Sequence, residues 1–337
     1  MENDEIEELL EGVRIPSDEE VEAAGRRFDR RLWRVRMRRR FVRSVGAVVA
    51  VVCCGLLVVA PWMRGEVEEM EVARVEEMPR VSVPTLILAD GCSLNLREKG
   101  ANALLGESNI RIEENRIVYD TLPVERELVY NTLVIPAGFT YNAVLADGTE
   151  VVLNAGSSLK YPEEFVGELR EVELSGEAYF NVTKSDVPFE ICVGGAKIRV
   201  YGTRFNVKER LRKSIETVLV EGKIGFQIPG HDEVQVAPGE RVAFDRISGD
   251  MKVETVDVKY AMAWLDGVFR YRDAPLNLVL EDISTWYGVE FDARTDLNCI
   301  KVTMNLSKQT TIDEVIMFLE KITSCTFTGE GGCYIVK

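Results

Sequence analysis

From Thr85 onward the hydrophobic residues alternate with polar ones at a period of two, in short runs divided by turns rich in glycine and proline. Two runs, Thr85–Leu96 and Asn142–Leu153, align without a gap: they share Leu-Ala-Asp-Gly and place apolar residues three and five positions after it. Asp-Gly between alternating runs marks a hairpin, because the tight turn needs positive φ, so a repeated hairpin is predicted. Further strands are predicted at Arg170–Leu174, Ala178–Val182, Phe189–Val193, Ile198–Val207, Thr217–Ile228 and Arg241–Phe244. This spacing predicts an all-β domain over residues 85–257, sandwich or solenoid-like, built from hairpin repeats.

After Val258 the period becomes helical. The pattern predicts a strand at Val268–Tyr271, a helix at Pro275–Tyr287 with Leu276, Leu280 and Ile283 on one face, and a strand at Val289–Phe291. The order then repeats, with a strand at Lys301–Leu306, a helix at Ile312–Thr323 and a closing hairpin to Val336. Two strand–helix–strand units predict a small α+β domain (βαβ-βαβ) over 258–337.

The residues before Thr85 follow other rules. Ser44 to Trp62 run nineteen positions without a charge, roughly 28 Å as a helix, which predicts one transmembrane helix over 44–63. Ten arginines lie between Arg26 and Arg43, among them Arg36, Arg38, Arg39, Arg40 and Arg43, while Glu66, Glu68, Glu69, Glu71, Glu76 and Glu77 follow the run. The positive-inside rule then places 1–43 in the cytoplasm and the bulk of the chain across the membrane. A cleaved signal peptide ending near Val58 and Ala60 is the competing reading, disfavoured by Pro61 after the cut and by the long leading segment. A lipoprotein reading of Cys53-Cys54 meets a poor match in Val51-Val52.

Within the tail, Ile6, Leu9, Leu10 and Val13 recur at helical spacing. Ser17 and Glu20 form a capping box, and Val21, Ala24, Phe28, Leu32 and Val35 continue the stripe. Some forty residues cannot bury a core of their own. The α-helical tail is therefore expected to dock a cytoplasmic protein through Ile6, Leu9, Leu10, Val21, Phe28 and Leu32; a helix lying on lipid is the alternative. Residues 64–84, acidic and carrying Pro79 and Pro84, are expected to form a stalk.

Charge narrows the function. The chain carries a net charge of −15, which argues against nucleic acid as a partner, and the arginine block beside an apolar run is assigned to topology and lipid headgroups. His231 is the single histidine, so a histidine-based metal site or triad is not expected, and no cofactor is predicted. Of Cys92, Cys192, Cys299, Cys325 and Cys333, only Cys325 and Cys333, flanking a hairpin turn, form a pair to consider. Glu163, Glu164, Glu168 and Glu171 read as a solvated acidic surface rather than a glycosidase pair. Trp286-Tyr287, at a helix end, reads as core or as a partner contact.

Several strings in fixed order resemble the FecR-type envelope sensors and anti-sigma regulators. They are Leu145-Ala-Asp-Gly-Thr149, Val151-Val-Leu-Asn-Ala-Gly-Ser-Ser-Leu-Lys-Tyr-Pro162, Val172-Glu-Leu-Ser-Gly-Glu-Ala-Tyr-Phe-Asn-Val182, Gly202-Thr-Arg-Phe-Asn-Val207, Val220-Glu-Gly222 and Pro238-Gly-Glu240. Residues 260–337, with Ala263-Trp-Leu-Asp-Gly267, Pro275-Leu276 and Trp286-Tyr-Gly-Val289, resemble the C-terminal domain of Bacteroidetes-type members, itself similar to the secretin/TonB short N-terminal module. Pro136-Ala137-Gly138 stands where many members carry arginine between proline and glycine.

The resemblance implies a single-pass inner-membrane regulator with its N-terminus cytoplasmic and its bulk periplasmic. Such a protein relays the state of a TonB-dependent outer-membrane transporter, through that transporter's signalling domain, to an extracytoplasmic-function sigma factor. It also implies a candidate self-cleavage at Gly202-Thr203, by attack of the threonine hydroxyl on the glycine carbonyl; a bulge glycine beside a packing threonine is the alternative. The rival functions are an envelope scaffold without transcriptional output and a membrane-tethered hydrolase. The latter is disfavoured by the missing nucleophile motif.

Overall fold

The structure, a computed structural model, describes residues 81–98, 110–113, 116–119, 128–211, 213–294, 296–330 and 332–337. In chain order the strands begin with β1 (Thr85–Ile87), β2 (Ser93–Asn95), β3 (Ile110–Glu113), β4 (Arg116–Tyr119), β5 (Tyr130–Ile135) and β6 (Tyr141–Val144). They continue with β7 (Glu150–Leu153), β8 (Ser157–Pro162), β9 (Arg170–Ser175), β10 (Glu177–Asn181), β11 (Phe189–Val193) and β12 (Ala196–Val200). Next come β13 (Arg204–Arg210), β14 (Ser214–Glu221), β15 (Ile224–Gln227), β16 (Val234–Val236), β17 (Glu240–Asp245) and β18 (Met251–Thr255).

These strands make two nine-stranded sheets, in the orders β16-β15-β12-β11-β9-β8-β5-β1-β2 and β18-β17-β14-β13-β10-β7-β6-β4-β3. Their inward residues share one core, from Leu86 and Leu94 through Phe180, Phe189 and Phe205 to Phe244. The alternation read from the sequence is the cause: in β12, Ala196, Ile198 and Val200 are buried while Lys197 and Arg199 are exposed. The architecture is a β-sandwich.

The repeated hairpin is real and its two copies have the same turn. Leu88 N donates to Cys92 O and Gly91 N to Leu88 O; Leu145 N donates to Thr149 O and Gly148 N to Leu145 O. Gly91 and Gly148 have φ of 83° and 80°, which a side chain would strain. One copy joins β1 to β2 in the first sheet and the other joins β6 to β7 in the second.

Two expected strands are each split. Ile198–Val207 becomes β12 and β13, and Thr217–Ile228 becomes β14 and β15. At both breaks the chain crosses from one sheet to the other. The crossings touch: a Cβ on Gly222 would lie 2.8 Å from Thr203 Oγ1 and 3.1 Å from Gly202 O. The inward set changes parity at each crossing, from Ile198 and Val200 to Phe205 and Val207, and from Ile215 and Leu219 to Ile224 and Phe226, so a one-residue slip beside a glycine marks each one.

Beyond the sandwich, α1 (Val258–Ala261) and a 3-10 turn (Ala263–Asp266) lead into β19 (Val268–Pro275), α2 (Leu276–Tyr287) and β20 (Glu290–Ala293). Then follow β21 (Lys301–Ser307), α3 (Ile312–Ile322), β22 (Phe327–Glu330) and β23 (Cys333–Val336). Thr311 and Glu314 form a reciprocal capping box at the start of α3. Leu276, Val279, Leu280 and Ile283 of α2 meet Val315, Ile316 and Leu319 of α3 in a second core. The order of strands and helices is as expected, but their pairing is not βαβ. β19 pairs with β21, and β20 joins β23 and β22 in a separate three-stranded sheet, so neither unit pairs its own two strands.

The expected fold class is corrected accordingly. The described chain is mostly β-sheet with three α-helices of four, twelve and eleven residues. Among the described residues no helix is long and apolar enough to cross a membrane; twelve residues span roughly 18 Å against a hydrocarbon core of about 30 Å. The helical tail expected over 1–43, with Ile6, Leu9, Leu10, Val21, Phe28, Leu32 and the arginine block, lies outside the described residues, as do the span at 44–63 and most of the stalk.

Candidate functional site

Strand β13 is where alternation does more than fill a core. Phe205 and Val207 point into the sandwich, so Asn206, Lys208 and Arg210 must point out of it. On neighbouring strands Glu177, Glu216 and Arg241 share that outer face by the same parity. Apolar residues alone would serve a buried sheet face, yet this one is polar. The C-terminal module covers it with α2, the 3-10 turn and the β21–α3 turn.

Glu177 is the hub of the joint. Its Oε1 accepts from Asn206 Nδ2 at 3.0 Å, and its Oε2 accepts from Asn154 Nδ2 at 2.8 Å and pairs with Lys208 Nζ at 3.1 Å. Asn206 Oδ1 then receives Trp264 Nε1 at 3.1 Å, the first bond across to the module.

A second crossing is ionic. Asp282 of α2 accepts from Lys208 Nζ at 2.7 Å and from Arg210 at 2.9 Å through Oδ1, and from the Tyr271 hydroxyl at 2.8 Å through Oδ2. Arg210 also binds Glu216 at 2.6 Å, and Glu216 pairs with Arg241 at 3.3 Å.

The electrostatics follow from this arrangement. Burial alone would raise Asp282, but the Lys208 and Arg210 cations outweigh it and hold the carboxyl well below the carboxylate range. Burial and the Asp282 charge push the Tyr271 phenol up. Glu281, half-buried beside the same cluster, is raised by desolvation.

Lys308, in the β21–α3 turn, supplies the third crossing. Its Nζ donates to Asn154 Oδ1 at 3.1 Å and sits 4.2 Å from the Trp286 ring centroid, with Phe269 and Trp264 at 5.6 and 5.8 Å. Burial pushes this ammonium down to about 8. Trp286 Nε1 donates to Lys308 O at 3.0 Å, so the same ring fixes the turn and faces the amine.

Close backbone contact completes the fit. A Cβ on Gly156, at φ 65°, would lie 2.9 Å from Thr285 Cγ2, and one on Gly288 would lie 3.2 Å from Ala137 Cβ. The joint still holds a cavity of about 870 Å³, lined among others by Lys208, Arg210, Trp264, Asp282, Trp286 and Lys308. Such a constellation orients two bodies. Buried ion pairs fix one relative placement because breaking one leaves an uncompensated charge.

Most residues singled out from sequence lie away from this joint. Gly202-Thr203 sits at the β12–β13 crossing: Gly202 has φ 143°, and a Cβ there would lie 2.4 Å from Lys184 Cγ. Thr203 is buried and its hydroxyl donates to Lys223 O at 3.1 Å. Trp286 belongs to the joint, and the Tyr287 hydroxyl donates to Thr310 O within the module.

Cys92, Cys192, Cys299, Cys325 and Cys333 are free thiols, so the pair considered at 325 and 333 is not bridged. Glu163 accepts from Asn131, and Glu168 and Glu171 are exposed. Glu171, Glu190 and Cys192 bring candidate ligand atoms within 4.8 Å of one another. Glu190 is ion-paired with Lys197 and Arg199, and burial pushes the Cys192 thiol up to about 11.

Sequence reasoning missed Lys208, Arg210, Asp282 and Lys308. The signal for the first two was present, as charges at alternate positions on a strand whose other face is core. Asn154, Glu177, Asn206, Trp264 and Trp286 all lie in the family-like strings, which therefore converge in space.

Comparison with known proteins divides the chain at this joint. Residues 131–225 match the family described as FecR protein, and residues 268–336 match the one described as FecR, C-terminal. Two crystal structures of a candidate anti-sigma factor from Parabacteroides distasonis, at 2.50 and 1.65 Å, share the fold. Each is 24% identical with a TM-score of 0.56 and covers 61% of this chain and 98% of its own. None of the curated proteins matches.

Proposed function

We infer the role from membership: the chain belongs to the FecR family, with a FecR domain at 131–225 and a FecR C-terminal domain at 268–336, and we propose that it is an anti-sigma signal regulator. It works by protein–protein binding, with an extracytoplasmic-function sigma factor as the cytoplasmic partner of residues 1–43. The signalling domain of a TonB-dependent outer-membrane transporter is its periplasmic partner. Its place is the inner membrane, N-terminus cytoplasmic and bulk periplasmic, on the charge asymmetry around residues 44–62.

The observation that carries this reading is the joint itself. The two family parts meet where Lys208 and Arg210 bind Asp282 and where Lys308 binds Asn154, and contacts of this kind support a reading in which a partner bound on one part acts on the other. The fold shared with the Parabacteroides distasonis protein supports it. On the module, β22 pairs only with β23 among the described residues, leaving an edge on which a small α+β partner adds a strand.

Deleting the gene and sequencing transcripts tests the reading. It requires altered expression of one sigma-dependent set of promoters, restored by the intact chain and not by a chain lacking residues 1–43. An unchanged transcriptome would favour the scaffold alternative.

A further inference from the structure

Three cations cross or flank the joint, and one lacks what the other two have. Lys208 meets Glu177 and Asp282, and Arg210 meets Glu216, Glu281 and Asp282. Lys308 is also buried, at 7% exposure, yet among the described residues no carboxylate forms an ion pair with it. Its near partners are one neutral amide oxygen and three aromatic faces. Glu177 from β10 and Asp282 from α2 attract it from farther off, and Lys208 from β13 repels it.

A cation–π contact and one amide bond offset only part of the loss of hydration that a buried ammonium suffers. Separated from the sandwich, the amine regains water. Methionine at this position would keep an unbranched stem against Trp286 and Phe269 without the charge.

We propose that Lys308 keeps this joint releasable: it carries an ammonium without a counter-ion into the contact between the C-terminal module and the sandwich, so that the module can leave the sandwich face. Undocking as the step that carries the signal rests on the regulator reading given above.

Hydrogen exchange of the full-length chain tests it, read on segments 154–157 and 284–288, which face each other across the joint, and corrected for the intrinsic pH dependence of exchange. At pH 7, Lys308→Met is expected to slow exchange there by ~tenfold or more. The amine's folded value lies below its unfolded one, so the unfolded or undocked state binds more protons above about pH 8. Protection in the wild type is therefore expected to rise between pH 8 and 10, and that of Lys308→Met to stay level.

Equal or faster exchange in Lys308→Met, or pH-independent protection in the wild type, overturns the proposal. Should Lys308→Met fail to fold, the wild-type titration decides alone. A slowed Lys308→Met joint with unchanged transcriptional response would overturn undocking as the signal-carrying step and leave the regulator reading standing.

Discussion

Lys208, projecting from the outer face of a sandwich strand, places its Nζ 2.7 Å from Oδ1 of Asp282 on the module's first long helix. The pair spans 74 residues of chain and sits among Arg210, Glu216 and Tyr271, with its members largely shielded from water. It makes the two family parts dependent on each other.

Asp282→Asn should therefore destabilise the protein by about 3 kcal/mol, since it leaves Lys208 and Arg210 buried against a neutral amide. Urea unfolding measures this as a lower midpoint. An Asp282→Asn midpoint equal to the wild type would mean that the pair contributes nothing to docking.

Acid should open the same contact. Asp282 and Glu216 are both held below their ordinary range, Asp282 by Lys208 and Arg210 and Glu216 by Arg210 and Arg241, each against an opposing effect of burial. A carboxyl depressed in the fold contributes stability that is present above its unfolded value, near 4, and lost as pH falls through and below it. Melting midpoints taken from pH 7 down to 3 should fall steeply below about pH 4, and less steeply in Asp282→Asn.

Steric fit gives a further prediction. Gly156→Ala would set a methyl 2.9 Å from Thr285 Cγ2 in a left-handed conformation, costing about 1 kcal/mol from the backbone plus the clash. Thr285→Ser removes that methyl, so the double variant should recover part of the loss. Additive losses in a double-mutant cycle would show that the two do not touch.

How legible was all this? Thr85–Leu96 and Asn142–Leu153 disclosed their hairpins because Asp-Gly chemistry is local, and the helices ending at Tyr287 and Ile322 followed from apolar spacing. The breaks at Gly202 and Gly222 escaped, since each is marked only by a one-residue slip in the alternation, from Ile198 and Val200 to Phe205 and Val207 and from Ile215 and Leu219 to Ile224 and Phe226, which the expected strands ran through. Strand pairing in the module escaped because it is non-local: β19 pairs β21 across α2 and β20, and no local signal encodes that choice. Lys208 and Arg210 were legible only as charges on one face of a strand, Asp282 and Lys308 carried no local signal, and only tertiary packing brings the four together.

For Gly202-Thr203 we propose scission. Thr203 Oγ attacks the Gly202 carbonyl carbon and its proton passes to the nitrogen as the peptide C–N bond breaks, freeing the threonine amine; water then hydrolyses the ester to a Gly202 carboxylate and the Thr203 hydroxyl. Wild-type protein expressed with its native partners should run as two fragments divided after residue 202, and Thr203→Ala as one. A single full-length band in the wild type would reduce Gly202 to what its contact with Lys184 already requires of it.

The central claim is that this chain regulates a sigma factor by binding it. Crosslinking in cells, followed by purification of the full-length chain and mass spectrometry, tests that most directly. The account predicts a sigma factor recovered with the intact chain and lost when residues 1–43 are removed. Recovery of envelope proteins alone, identical with and without residues 1–43, would contradict it.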